Sequence, residues 1–364
     1  MSSEHNESWT MFRANTKRTG STKTKPIIKP LLYWTIELGP VISSPVFEGG
    51  FLYVGTLTGR VFCLDIIKRE IKWHYNIGSP IVSSPIILNE KVICATFDSW
   101  INSDTSKNNS IFSLDKNDGN MSWKLQISAD IFSSPCATGK NIVLGSMDHN
   151  LYYLDERGEI IWKYETNGQV WSSPSYHDNT IYFGSDDGFI YSIDSDGFLR
   201  WKSKLNGKVR SSSPCLSENL IFIGTHAGGI YCLSSIDGTI KWSKSVLRPV
   251  LSSPLLVRDM IIFGTSDHRL YCFNLDGSKT WEFETAGKIW SSPSTSENDR
   301  LLFFGSLDSF IYGIDSRTGR QGWKFPTMGS IDSSPCLSDG MLFVGSRDGI
   351  LYCFERCREL VYIE

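Results

Sequence analysis

Apolar and polar positions alternate in short runs along nearly the whole chain. Between Trp162 and Trp201 four such runs follow one another, Trp162–Glu165, Val170–Tyr176, Thr180–Ser185 and Phe189–Asp194, each bounded by Gly, Asn or Asp. None is long enough for a helix, and Tyr, Phe, Ile and Trp suit a pleated, half-buried surface. The spacing predicts four strands, after which Gly197 and Trp201 begin the cycle again.

The cycle recurs. Ser-Ser-Pro ends at Pro45, Pro85, Pro135, Pro174, Pro214, Pro254, Pro293 and Pro335, and tryptophans keep step at Trp34, Trp73, Trp123, Trp162, Trp201, Trp242, Trp281 and Trp323. A third signal, Gly then Ser or Thr, a turn, and an apolar run ending near Asp, is seen in Gly145-Ser146 to Leu154-Asp155. Four strands in about forty residues mark a propeller blade. Eight copies predict an all-β fold, an eight-bladed β-propeller of four-stranded antiparallel blades.

Taken in order, residues 1–30 form a polar, basic extension with Arg13, Lys17, Arg18, Lys23, Lys25 and Lys29, and residues 31–364 form the propeller. Trp9 and Phe12 are expected to anchor part of the extension along the propeller, while its charges read as a solvated tail. Leu31–Leu38 carries Trp34 ahead of any complete inner set, so it is expected to close the ring as the outer strand of the last blade; Glu359–Ile363 competes for that slot without a Trp. Blade one is expected to run Val41–Phe47, Phe51–Thr56, Arg60–Asp65 and Glu70–Asn76. Blade two spaces its Ser-Ser-Pro 50 residues from the next, against 39 to 42 elsewhere. The surplus is Phe97–Asn109, a polar loop that includes Trp100; loop length costs little entropy, and loops on rigid scaffolds carry binding residues.

These residues resemble the pyrroloquinoline-quinone-type (PQQ-like repeat) propeller family. Its tryptophan-docking repeat is similar to Leu114-Asp115, Gly119 and Trp123, and to Ile314-Asp315, Gly319 and Trp323, and the opening Trp9, Met11-Phe12-Arg13 and Arg18-Thr19-Gly20 extends the likeness over nearly the whole chain. The resemblance implies that each outer-strand Trp packs on the neighbouring blade and that the Gly makes the turn before it. It implies less about function, because folds host many activities. Quinoprotein alcohol dehydrogenases share the repeat but carry a calcium site, an adjacent cysteine pair and a secretion signal, none of which can be placed here. The lipoprotein of the outer-membrane assembly machinery is similar in length and blade count, but this chain lacks a lipobox. Propeller domains attached to adenylating synthetases and to some kinases, read as interaction or sensing modules, look equally similar.

Composition narrows the partners. A net charge of −3 and a pI near 6.1 give no sign of a nucleic-acid or anionic-membrane surface. No apolar run approaches the roughly 20 residues of a membrane span, and the first residues lack the apolar core of a secretory signal. With an initiating Met, the reading is a cytoplasmic, soluble monomer. Cys63, Cys232, Cys272 and Cys353 share one third-strand slot, and Cys136, Cys215 and Cys336 each follow Ser-Ser-Pro. With Cys94 inside a strand and Cys357 in the tail, the nine cysteines form no Cys-x-x-Cys and read as small buried residues in a reducing compartment.

Chemistry is sought where the repeat leaves positions unexplained. The turn Asp of six blades, at Asp98, Asp148, Asp187, Asp267, Asp308 and Asp348, reads as bonding its own backbone. The residue before that turn varies, and so does the residue before the serines. Together they offer Trp171, Trp290, Arg210, Asp332, Arg347, His226, Asp186 and Trp100 as a ligand-binding mouth with aromatic walls and mixed charge, suited to a small planar or anionic ligand or a peptide side chain. The bland account is a solvated rim with the two tryptophans packed between blades. His149, His226 and His268 come from separate blades and read as scattered surface residues; no metal site is expected. No nucleophile elbow, P-loop or dinucleotide fingerprint occurs. The expectation is a non-catalytic scaffold without a cofactor, binding a protein partner (an adenylating synthetase or carrier protein is one candidate) or a small ligand on its loop-rich face. The alternative is an enzyme at the channel mouth, either a cofactor-free tailoring enzyme or a quinoprotein-like oxidoreductase using pyrroloquinoline quinone.

Overall fold

Within each cycle the apolar alternation yields one antiparallel sheet. Blade 1 is Val46–Glu48, Phe51–Gly55, Arg60–Asp65 and Glu70–Asn76, hydrogen-bonded in chain order from the channel outwards. The computed structural model describes residues 8–27, 29–99, 109–296 and 300–356, and over these the pattern repeats in eight sheets with no helix. The second and third strands are almost wholly buried between neighbouring sheets, as in Ile142–Gly145 and Leu151–Leu154. Outer strands such as Ile160–Glu165 alternate between exposed and half-buried. Blade 8 combines Cys336–Ser338, Met341–Gly345 and Ile350–Arg356 with an outer strand from the other end of the chain, Pro30–Glu37, in which Trp34 lies opposite Cys353. The competing run 359–363 lies outside the described residues.

The tryptophans fasten each blade to the next. Trp73 lies on Gly119 of the following blade and donates its indole N–H to the Lys116 carbonyl at 3.1 Å. Trp123, Trp162, Trp201, Trp242 and Trp281 repeat the bond at 2.7–3.0 Å. Gly119 has φ 76°, and a Cβ there would come within 2.6 Å of the Trp73 ring, so turn and docking both require glycine. The closing seam differs. Arg69 occupies the turn slot with its guanidinium 4.1 Å over the Tyr33 ring, and the buried Trp34 indole nitrogen has no partner among the described residues.

Inner strands are expected to start at Val41 or Val170, yet they start at Val46 and Ser175. The preceding serines are engaged elsewhere. Ser44 donates its backbone N–H to the hydroxyl of Ser84, Ser84 to Ser134, Ser134 to Ser173, Ser173 to Ser213, Ser213 to Ser253, Ser253 to Ser292, Ser292 to Ser334, and Ser334 back to Ser44. The result is a closed circle of eight bonds of 2.9–3.1 Å. The first serine of the pair works in both directions. Within its blade Ser43 Oγ accepts the Gly55 N–H at 3.1 Å and Ser252 Oγ that of Gly264 at 2.6 Å. The hydroxyls of Ser133, Ser172, Ser291 and Ser333 donate to the carbonyl of the next blade's first serine at 2.9–3.2 Å. Proline follows because it has no N–H to leave unpaired at the strand start.

Beyond the serines, residues 9–24 cross the other end of the channel as a strap. Each inner strand presents a free edge to the channel, and the strap covers it. Carbonyls of Trp9, Thr10, Thr16, Lys17, Thr19 and Gly20 accept, at 2.7–3.1 Å, the N–H of the middle inner-strand residue of six blades, Phe47, Ile87, Tyr176, Leu216, Leu256 and Thr295. Ser21–Thr22 pairs in parallel with blade 7, and Thr24 Oγ1 accepts the Gly340 N–H of blade 8 at 3.0 Å. The solvated reading of the arm holds for Lys23, Lys25 and Lys29, which are exposed, and fails for Arg13 and Arg18, at 1% and 0% exposure. Arg18 donates to the carbonyls of Pro174 (2.9 Å), Pro135 (2.8 Å), Ser134 (3.2 Å) and Phe12; Arg13 donates to Pro254 (2.5 Å), Thr19 (3.3 Å) and Pro293. Burial lowers both guanidiniums below their ordinary pKa, Arg13 to about 9.

Two substitutions test these contacts. Arg18→Met keeps the apolar stem but strands several buried carbonyls, each worth about 1–3 kcal/mol; thermal unfolding should show a loss of at least about 3 kcal/mol, and an unchanged Tm would remove the strap's structural role. Ser253→Ala leaves the buried Ser213 N–H unpaired and is expected to cost about 1–3 kcal/mol, read in the same assay.

Candidate functional site

Two sets of loops meet at the channel end opposite the strap: the lead-in to each Ser-Ser-Pro and the turn between second and third strands. Backbone bonds tie them together, as in Asp186 N–H to Gln169 (2.9 Å), His226 N–H to Lys208 (2.8 Å) and Arg347 N–H to Ser330 (3.0 Å). The turn aspartates do structural work. Asp187 accepts the Phe189 N–H at 3.0 Å and the Tyr191 hydroxyl at 2.6 Å, and Asp148, Asp308 and Asp348 repeat both bonds. His149 and His268, at φ 74° and 72°, fill the left-handed slot that Gly59, Gly188, Gly228 and Gly349 fill elsewhere, so both are turn residues.

Four of the predicted residues come together between blades 4 and 5. Arg210 clamps Asp186 through two hydrogen bonds, Nε to Oδ1 at 3.1 Å and Nη2 to Oδ2, and lies 4.7 Å over the Trp171 ring. Lys208 Nζ stands 3.6 Å from Asp186 Oδ2, and the Asp186 side chain is only 6% exposed. His226 sits beside this group, and its imidazole is held below the usual 6.5. Although the residue is exposed at the rim, partial burial of the ring is the largest cause; Arg210 and Lys208 add to it and Asp186 opposes it. A second pair stands across the channel in blade 8, where Arg347 holds Asp332 through Nε to Oδ2 at 2.6 Å and Nη2 to Oδ1 at 3.0 Å. Trp290 enters neither pair and lines the central cavity.

Sequence reasoning missed the apolar wall joining these groups. Phe97, Phe132 and Trp171 pack with ring centroids 5.3–6.2 Å apart, against Ile42, Val82, Leu57 and Met147. Trp171 is thus half-buried, with its N–H given to Gln169 Oε1 at 2.8 Å. The signal was available, since these side chains occupy the two variable slots. Asp130, fully buried, was also missed: it accepts the N–H of Asp98 (2.8 Å) and Ser99 (3.1 Å) and holds the root of the long loop. Trp100 lies outside the described residues. Between the wall, Leu251, Trp290 and Asp332 a cavity of about 60 Å³ descends to the serine circle, with Phe12 of the strap as its floor. Among the described residues no cluster of His, Cys, Asp or Glu could hold a metal ion.

A family profile described as "Beta-alanine-activating enzyme, beta-propeller" matches residues 105–337, and one described as "Outer membrane protein assembly factor BamB" matches residues 9–133. No curated protein matches the chain by sequence. Among solved structures, BamB from Moraxella catarrhalis is 15% identical with a TM-score of 0.78, covering 90% of this chain and 99% of its own. A europium-containing methanol dehydrogenase is 14% identical with a TM-score of 0.79, covering 96% and 98%. Quinohemoprotein alcohol dehydrogenase from Comamonas testosteroni is 13% identical with a TM-score of 0.79, covering 97% and 82%. At these identities the likeness is one of fold.

Burial holds the His226 imidazole down, and within that environment Arg210 lowers it further while Asp186 raises it. By NMR, His226 is expected to titrate below the 6.5 of a free imidazole, and Arg210→Gln, which removes a repelling cation and frees an attracting carboxylate, should raise it. A His226 midpoint that does not move would show that the clamp and the imidazole are uncoupled.

Proposed function

This chain is a PQQ-like propeller belonging to the β-propeller family of the beta-alanine-activating enzyme, and on that premise we propose that it is a non-catalytic interaction module whose loop-rich face binds a protein partner or a small ligand. One observation carries the reading: an apolar wall of Ile42, Val82, Phe97, Phe132 and Trp171 opens on a cavity whose rim aspartates, Asp186 and Asp332, are already paired with arginines. Asp186 and Asp332 are each held by a guanidinium, so neither is poised as a general base. An apolar concavity with a few oriented polar groups is what recognition of a side chain or small molecule requires. Loss-of-contact effects at such faces concentrate in aromatic and arginine residues, which points to Trp290, Trp171 and Arg347.

Pyrroloquinoline quinone stays outside this reading. That ligand is large and carries several carboxylates, whereas the cavity measures about 60 Å³ and both rim arginines are engaged by aspartates. The reading includes a cytoplasmic monomer, since the eight described cysteines are free and buried, as suits a reducing compartment. An adenylating synthetase or its carrier protein is the partner the family name suggests first.

The test is capture of partners from the native cell by the full-length chain, compared with Trp290→Ala and Arg347→Ala. Each substitution is expected to weaken capture at least tenfold while Tm stays within a few degrees of the parent. Unaltered capture by both variants would move the interaction off this face.

A further inference from the structure

We propose that the channel mouth is a carboxylate site, in which the serine circle grips the oxygens and the apolar collar above it takes the carbon chain. The inference deepens the binding reading of this face and rests on it. A hydroxyl offers one donor and two acceptor positions. In the circle every Oγ accepts one backbone N–H, and among the described residues no acceptor takes the hydroxyl hydrogen in return. Six of these hydroxyls, on Ser44, Ser84, Ser134, Ser173, Ser292 and Ser334, line the cavity, and their residues are only 3–6% exposed. The lumen is therefore ringed by buried donors that lack acceptors, a costly state unless something supplies oxygen.

The sign of the charge comes from below. Arg18 lies 5.5 Å under the Phe12 ring that floors the cavity, and its Nη2 donates to the carbonyl of Ser134, itself a member of the circle, at 3.2 Å. Arg13 sits alongside, and among the described residues neither guanidinium has a carboxylate partner: Arg13 feels Cys215 and Arg18, and Arg18 feels Cys136. Among the described residues two positive charges thus stand in the channel without a carboxylate partner, in a medium where Coulomb interactions are far stronger than in water. The one carboxylate lining the cavity, Asp332, is held through both oxygens by Arg347.

Size and shape select the class. Holding a water takes about 10–15 Å³, so a cavity of about 60 Å³ suits a carboxylate and one or two carbons. Directly above, Ile42, Val82, Leu251 and Trp290 offer apolar surface, so the far side of the ligand is hydrocarbon or aromatic and not a second set of charged oxygens. A carboxylate of this description occurs in a small organic acid and at the chain end of a protein partner.

Saturation-transfer NMR on the full chain with butyrate and its neutral isostere butyramide tests the claim. Butyrate is expected to bind at least tenfold more tightly, Val82→Trp should abolish binding by filling the cavity from the collar, and Ser84→Ala with Ser292→Ala should weaken it tenfold in protein shown to be folded by its thermal transition. A tripeptide ending in leucine, with a free or an amidated terminus, separates the sources: the free form binding more tightly than butyrate assigns the end of a protein chain, and the reverse a small acid. Equal binding of butyrate and butyramide, no binding of either acid, or full binding by Val82→Trp overturns the carboxylate site. If that happens while Trp290→Ala still weakens partner capture, the interaction face stands and only the carboxylate claim falls.

Discussion

The structure depends on one hydrogen bond repeated around an axis, a backbone N–H of one blade given to a serine hydroxyl of the next. Eight inner strands converging on a narrow channel cannot pair with one another as a sheet, so their amides need partners of another kind. The second serine supplies them without adding bulk, and the following proline ends the demand. At the outer radius the tryptophans perform the matching task by docking on the next blade's turn. Both links run in the same sense around the ring, so blades 2 to 7 are each positioned by their predecessor at two radii.

The strap answers the remaining demand, the free channel-facing edges of the inner strands. Its two arginines reach carbonyls of blades 3, 4, 6 and 7. A buried guanidinium is tolerable when its N–H groups are satisfied, and the carbonyls that crowd a propeller axis are suited to that. Gly20 belongs to the same device, since a Cβ there would stand 2.0 Å from Arg13 Nη2. The electrostatic result is asymmetric: positive charge is held inside the ring, while the acids and bases of the rim neutralise one another in pairs.

The blades were legible in the sequence because their signals are local. The Trp ladder, the turn glycines and the alternation of apolar residues each act within about forty residues, and the closing strand Pro30–Glu37 could be singled out because it carries a Trp with no inner strands before it. What could not be read were contacts between residues brought together only by ring closure. The serine circle shows in the sequence as repetition, without indicating that each hydroxyl serves a neighbour. Arg13 and Arg18 look like any basic tail, and only their company with Trp9, Phe12 and Gly20 hints at burial. At the rim, Trp171, Arg210, Asp186 and His226 were recognisable as positions the repeat leaves free; that Arg210 and Arg347 are spent on aspartates depends on side-chain geometry that spacing does not encode.

The strap also orders events in time. Its partners lie in all eight blades, from Phe47 to Gly340, so residues 9–24 have nowhere to settle until the last blade is in place. Chains emerge from synthesis with the N-terminal part first, which makes this segment older than any blade it straps and the latest to dock. The outer strand Pro30–Glu37 waits likewise for Ile350–Arg356. The ring therefore closes with residues made before any of its blades, and a ring whose seam has not yet shut would be found with its channel unplugged and residues 9–24 free.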